Sequence, residues 1–213
     1  DYDLAIRQIV SSAIVSDKVV DVFSAAGLNK PEIGILSEEF LQEVKWLQHK
    51  NLALELLKRL LNDSIMAMAR KNLIKSRSFA KMLEETIRKY QNQTIETAQV
   101  IAELVKLAQK VREEQNKGKE LGLTDDEVAF YDALAENESA VTELGDETLK
   151  KISQELVVML RKNTTVDWTL KENVRAQIRV YVKRLLRKYK YPPDKQEDAT
   201  KTVVEQAELL CKD

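Results

Sequence analysis

Cysteine is nearly absent: Cys211 is the only one in 213 residues, so no internal disulfide forms and an oxidising compartment has nothing to offer this chain. Histidine is as scarce. His49 stands alone, and one Cys with one His supplies neither a zinc ligand set nor a nucleophilic triad. Lying within Gln48-His49-Lys50-Asn51, at a helix junction, it reads as a surface or capping residue. Phosphate-cradling loops need clustered glycines followed by Lys and Ser or Thr, and Gly118-Lys119-Glu120 matches no such pattern. There is no run of about 18 apolar residues for a membrane span, and the start lacks the order of a secretory signal. The expected location is the cytoplasm, without membrane contact. The chain opens at Asp1 and moves directly into apolar-patterned sequence, which reads as a domain cut from a longer polypeptide.

Turn-forming residues are the next shortage. Five glycines and three prolines leave little material for loops, while Ala, Leu, Glu, Lys, Gln and Arg fill the stretches between them. No segment alternates with period two. The expected fold is all-α, an irregular multi-helix bundle with no sheet, and 44% apolar residues suffice for its core. Leu4 to Ala26, followed by Gly27, reads as one or two helices. Ser37 caps a helix through Leu47, with Glu38 and Glu39 in its first turn. Another starts near Asn51 and turns Leu52, Leu56, Leu57, Leu60, Leu61 and Ile65 inward. Asn72 to Gln115 forms two long helices parted near Gln91 to Thr94. Gly118 and Gly122 close that section. Thr124-Asp125-Asp126-Glu127 is a capping box opening the next helix. Gly145-Asp146-Glu147 starts one that ends by Thr165, and Asp194 to Leu210 forms the last.

Between them lies the most distinctive stretch, Trp168 to Gln196. Val174, Ile178, Tyr181, Val182, Leu185 and Tyr189 recur at helical spacing on one face, and Lys171, Arg175, Arg179, Lys183 and Arg187 fall four apart on another. Asp167 or Thr169 caps its start, and Pro192-Pro193 stops it. From Lys171 to Lys195 there are nine Lys or Arg against Glu172 and Asp194, a density that attracts phosphate or an acidic protein face. Net charge is only −1, so this is a local asymmetry. Its counterweight is Glu120 to Glu147, where ten acids occur without a Lys or Arg. A smaller basic group, Arg70, Lys71, Lys75, Arg77 and Lys81, reads as solvated or paired.

Pro31-Glu32 with Glu43-Val44-Lys45 has the outline of a PD-(D/E)xK nuclease. Such a site places its second acid and lysine on a strand, whereas Glu43 and Lys45 fall inside helical sequence, so the match reads as chance.

Several blocks resemble one family. Ile35-Leu36-Ser37-Glu38-Glu39-Phe40-Leu41, His49-Lys50-Asn51-Leu52-Ala53 leading into Glu55-Leu56-Leu57, and Lys75-Ser76-Arg77 before Met82-Leu83-Glu84 are similar to the C-terminal helical region of the restriction subunit of type I restriction-modification enzymes. So are Thr94 to Ile101, Phe130-Tyr131-Asp132-Ala133-Leu134 and the section from Asp167 to Lys195. The resemblance implies an ATP-dependent DNA translocase and endonuclease whose nuclease and motor domains lie elsewhere. Residues 1–36 would then link to the motor, and 37–213 would form a helical assembly domain. No catalytic, cofactor or metal residue carries over, and ATP and Mg are expected for the other domains of the subunit. The partners implied are the methyltransferase and specificity subunits. Duplex DNA and a plain helical scaffold are the alternatives. Arg175, Arg179, Lys183, Arg184, Arg187 and Lys188 are the residues expected to meet DNA phosphates or an acidic partner.

Overall fold

A computed structural model describes residues 37–46, 49–163 and 172–210, and among these it is helical with no strand. In chain order the helices are α1 (Glu38–Trp46), α2 (Lys50–Ala69), α3 (Leu73–Gln91), α4 (Thr97–Leu121) and α5 (Asp125–Ala135). They continue with α6 (Glu138–Leu144), α7 (Asp146–Asn163), α8 (Glu172–Lys188), a 3-10 turn at Pro193–Lys195, and α9 (Gln196–Leu210). The expected helix over Leu4 to Ala26, the caps at Asp167 and Thr169, and Cys211 lie outside the described residues. The described residues fall into two compact units. One holds 37–64 with 79–113, the other 65–78 with 114–210, so α2, α3 and α4 each contribute to both.

In the first unit the Ser37 hydroxyl accepts from the Phe40 amide at 3.3 Å, which caps α1 as its sequence requires. Phe40, Leu41 and Val44 are buried from α1, as are Leu56, Leu57, Leu60 and Leu61 from α2. Leu52 is only half-buried. From α4, Val100, Ile101, Leu104, Ala108 and Val111 form an uninterrupted apolar stripe. Glu38 accepts from Gln109 at 3.1 Å and pairs with Arg112 at 3.2 Å, joining α1 to α4 within this unit. Glu43 and Lys45 are exposed on α1, which removes the strand geometry that the nuclease outline needs.

The second unit is built around α5. Seven consecutive residues, Val128 to Leu134, are buried, so beyond its first turn this helix has no solvent face and is packed by α7, α9 and α6. Its start is held by the expected capping box: Thr124 Oγ1 accepts from the Glu127 amide, and Glu127 returns the bond to the Thr124 amide at 2.8 Å. The separate helix α6 is not anticipated from the sequence, where helix starts are assigned at Thr124 and Gly145 and none between them. Asn137 makes the break, accepting from the Ser139 amide at 3.2 Å as a new N-cap. Gly145 then adopts φ 72°, ψ 162°, a backbone region closed to other residues, and hands the chain to α7.

Helix α8 ends before its prolines. Lys190 takes φ 55°, the Tyr191 amide donates to the Leu186 carbonyl at 2.9 Å, and the Lys190 amide donates to Arg187 at 3.0 Å. This is a Schellman closure made by a lysine, with Pro192 and Pro193 following it. Tyr191 is buried behind the cap and donates to the Leu134 carbonyl at 2.8 Å, fastening the α8 end to α5.

Candidate functional site

Helix α8 is oriented by Ile178, Val182 and Leu186, all buried, with Leu185 and Tyr189 half-buried beside them. Burying a side chain of this kind contributes about 1.5–3 kcal/mol, enough to fix one rotation of the helix against its neighbours. Tyr181, expected on that stripe, is instead 40% exposed, and Leu186 takes the central place. The periodicity is right, but the stripe is rotated toward Leu186. Val174 lies outside the residues whose side chains are described.

The basic residues are divided by this orientation. Arg175 pairs with Glu208 of α9 at 2.5 Å, and Lys183 pairs with Glu197 of α9 at 2.6 Å. Lys188 pairs with Glu155 of α7 at 2.8 Å and lies 4.9 Å from the ring centre of Tyr189, whose hydroxyl donates to the same carboxylate at 2.5 Å. Hydrogen bonds from Lys188 and then Tyr189 hold Glu155 below the usual carboxylate range, and the same contact raises the Lys188 ammonium. The Lys183 hydrogen bond lowers Glu197 first of all, with Arg179 and Arg187 adding weaker electrostatic attraction without forming an ion pair to it. Arg184 is exposed and has no ion-pair partner among the described residues. Thus the six candidate residues share one helix but not one role: three are tied to α7 or α9, while Arg179, Arg184 and Arg187 are exposed without an ion pair among the described residues.

The acidic block does not serve as their partner. Asp125 pairs with Lys71, Asp126 with Arg161 and Glu147 with Lys150, while Asp146 accepts from the Tyr131 hydroxyl at 2.8 Å. Of the smaller basic group, Lys71, Lys75 and Arg77 are paired, Arg77 with Glu205 at 2.7 Å and Lys75 with Glu114 at 3.5 Å, while Arg70 and Lys81 are exposed.

A buried charge cluster is missed by sequence reasoning. Asp132, 3% exposed at the centre of α5, is bonded by Lys117, accepts from Asn72 Nδ2 at 2.7 Å, and has Lys75 at 3.8 Å. Burial, the larger influence, raises its carboxyl, and Lys117 opposes that rise. Burial lowers the Lys117 ammonium, yet Asp132 and Glu114 outweigh it and the net direction is upward. Lys117 also lies 5.0 Å from the Tyr131 ring centre. A signal existed in the apolar frame of Ala129-Phe130-Tyr131-Asp132-Ala133-Leu134, where one acid interrupts a helix with no polar side. Its cations, from residues 75 and 117, could not be placed without the fold.

Next to this cluster is an open cleft of about 320 Å³ lined by Met68, Lys71, Asn72, Glu114, Asp125 and Val128, among others. Its walls mix both signs of charge, and no group of three His, Cys, Asp or Glu suited to a metal is found among the described residues. His49 is exposed, and its carbonyl accepts from the Ala53 amide at 3.1 Å at the start of α2. None of the helices described is long and apolar enough to cross a membrane.

Comparison with known proteins fits the blocks noted in the sequence. Residues 1–213 match the family described as type I restriction enzyme HindI endonuclease subunit-like, C-terminal. The chain is 41% identical to the type I restriction enzyme HindI endonuclease subunit of Haemophilus influenzae, over all of this chain and 20% of that protein. It is 36% identical, over 88% of its length and 18% of the relative, to a Methanocaldococcus jannaschii protein provisionally named as the MjaIXP endonuclease subunit of a type I restriction enzyme. The chain therefore spans about a fifth of the length of these relatives. No solved structure matches significantly. On the whole-length match, this chain belongs to the family of C-terminal regions of HindI-like type I restriction endonuclease subunits.

Proposed function

We propose that this region is the non-catalytic assembly part of a type I restriction subunit, docking an ATP-driven DNA motor and endonuclease onto the methyltransferase and specificity core. ATP and Mg²⁺ belong, on this reading, to other domains of the subunit, and the whole enzyme works in the cytoplasm. The observation that carries the proposal is α8. It is fixed by a buried stripe and by ion pairs to α7 and α9, yet keeps a cationic outer side that its own fold does not neutralise. A rigid helix with excess charge on its outer side suits recognition of a second macromolecule.

A second reading, nonspecific contact with duplex DNA, is favoured by Arg179, Lys183 and Arg187, which follow one another at four-residue spacing along α8 and of which only Lys183 forms an ion pair among the described residues. Changing these three to Glu should impair assembly or translocation of the full subunit while leaving helical content intact. Unchanged restriction activity in that variant would contradict the proposal. Duplex affinity that falls steeply with salt, with assembly unaffected, would favour the DNA reading, because each phosphate neutralised releases counterions.

A further inference from the structure

The buried stripe of Ile178, Val182 and Leu186 fixes the opposite side of α8, where Val180 and Arg184 stand one turn apart. Val180 is 48% exposed and the adjacent Tyr181 40% exposed. Valine is a poor choice for an exposed helix position on conformational grounds, because its branched side chain is restricted against the preceding turn. At this position it also packs into no core. Its neighbours on the helix are basic, and from Arg175 to Lys188 the sequence has no acid.

Three of the flanking cations are already engaged, Arg175 with Glu208, Lys183 with Glu197 and Lys188 with Glu155. What is left uncovered is a ridge with Val180 and Tyr181 at its centre and three exposed arginines, Arg179, Arg184 and Arg187, that form no ion pair among the described residues. Nucleic-acid affinity grows with the number of phosphates neutralised, and a ridge with valine and tyrosine at its middle, and with Arg175, Lys183 and Lys188 already paired inside the fold, is less suited to that. Protein interfaces have this anatomy: an apolar centre enriched in tyrosine and arginine, with polar residues around it. Charge complementarity sets the sign of the partner, which must bring a carboxylate to Arg184.

We propose that Val180, Tyr181 and Arg184 seat an acidic protein surface with a shallow apolar socket, carried by another subunit of the assembly. The inference rests on the docking reading above and narrows it to one ridge. Its test titrates the full endonuclease subunit that carries this chain against the purified methyltransferase–specificity core, followed by sedimentation. The variants are Val180→Glu, Arg184→Glu and the pair together, with Lys119→Glu on the exposed side of α4 for comparison and a deletion of the whole region. Each ridge variant should raise Kd about tenfold, the usual consequence of losing an interface anchor, with circular dichroism and melting unchanged and Lys119→Glu binding as wild type. Deletion should abolish assembly. If deletion does so but the ridge pair binds normally, the surface is misplaced and docking survives. Assembly that persists after deletion overturns both. Ridge variants that assemble normally but lose duplex DNA assign the ridge to nucleic acid and overturn the proposal.

Discussion

Asp132 shows how far a single side chain departs from what its sequence position suggests. In sequence it is one of ten acids in the block that counterbalances the basic helix. In the fold it is the polar centre of the second unit, held by Lys117, Lys75 and Asn72. Removing one partner of a buried pair costs about 3 kcal/mol, because the other charge is left desolvated. Lys117→Met should therefore lower the urea midpoint strongly, and so should Asp132→Asn. The double variant should lose less than the two losses added, and strict additivity in that cycle would show that the pair is not coupled. The pH sense of Asp132 is opposite to that of an exposed paired acid. Since its folded value is raised above the ordinary 3.8, ionisation costs stability as pH rises through that interval.

Helix boundaries were the most legible part of the chain, because capping chemistry is local. Ser37, the Thr124–Glu127 box and the Gly145 handover are visible as residues and occur as read. Thr124→Ala should cost about 1 kcal/mol in denaturant unfolding. Gly145→Ala should cost more, since φ 72° with ψ 162° excludes a Cβ on backbone grounds. Two features were not legible, for different reasons. The break between α5 and α6 uses Asn137 in a stretch without glycine or proline, so its one mark is the N-cap preference of asparagine, which surface asparagines share. The end of α8 is made by Lys190 at φ 55°, a conformation no local rule assigns to lysine. Lys190→Gly should stabilise the chain by about 0.5 kcal/mol, with the denaturant slope unchanged, as strain at a left-handed cap is relieved. A destabilised variant would mean that the lysine side chain has a role beyond its backbone.

For the whole molecule, the all-α class followed from the scarcity of turn residues, and membership of the restriction-subunit family from blocks spread along its length. Which cations stay available followed from neither, because Glu155, Glu197 and Glu208 come from helices whose placement beside α8 depends on the tertiary fold. These pairs also set the acid response. Glu155 and Glu197 are depressed below the ordinary 4.5, so the stability they contribute is present above that value and is lost as pH falls through their lower folded values. Thermal unfolding followed from pH 6 to pH 3 should show a decline that is shallower in a Glu155→Gln variant, and an identical slope would contradict the assignment. The central claim is that this region joins the endonuclease subunit to the modification core. Its most direct test is sedimentation of the full subunit, intact and lacking these 213 residues, with that core. The account predicts that the intact subunit co-sediments and the shortened one does not; equal co-sedimentation of both would contradict it.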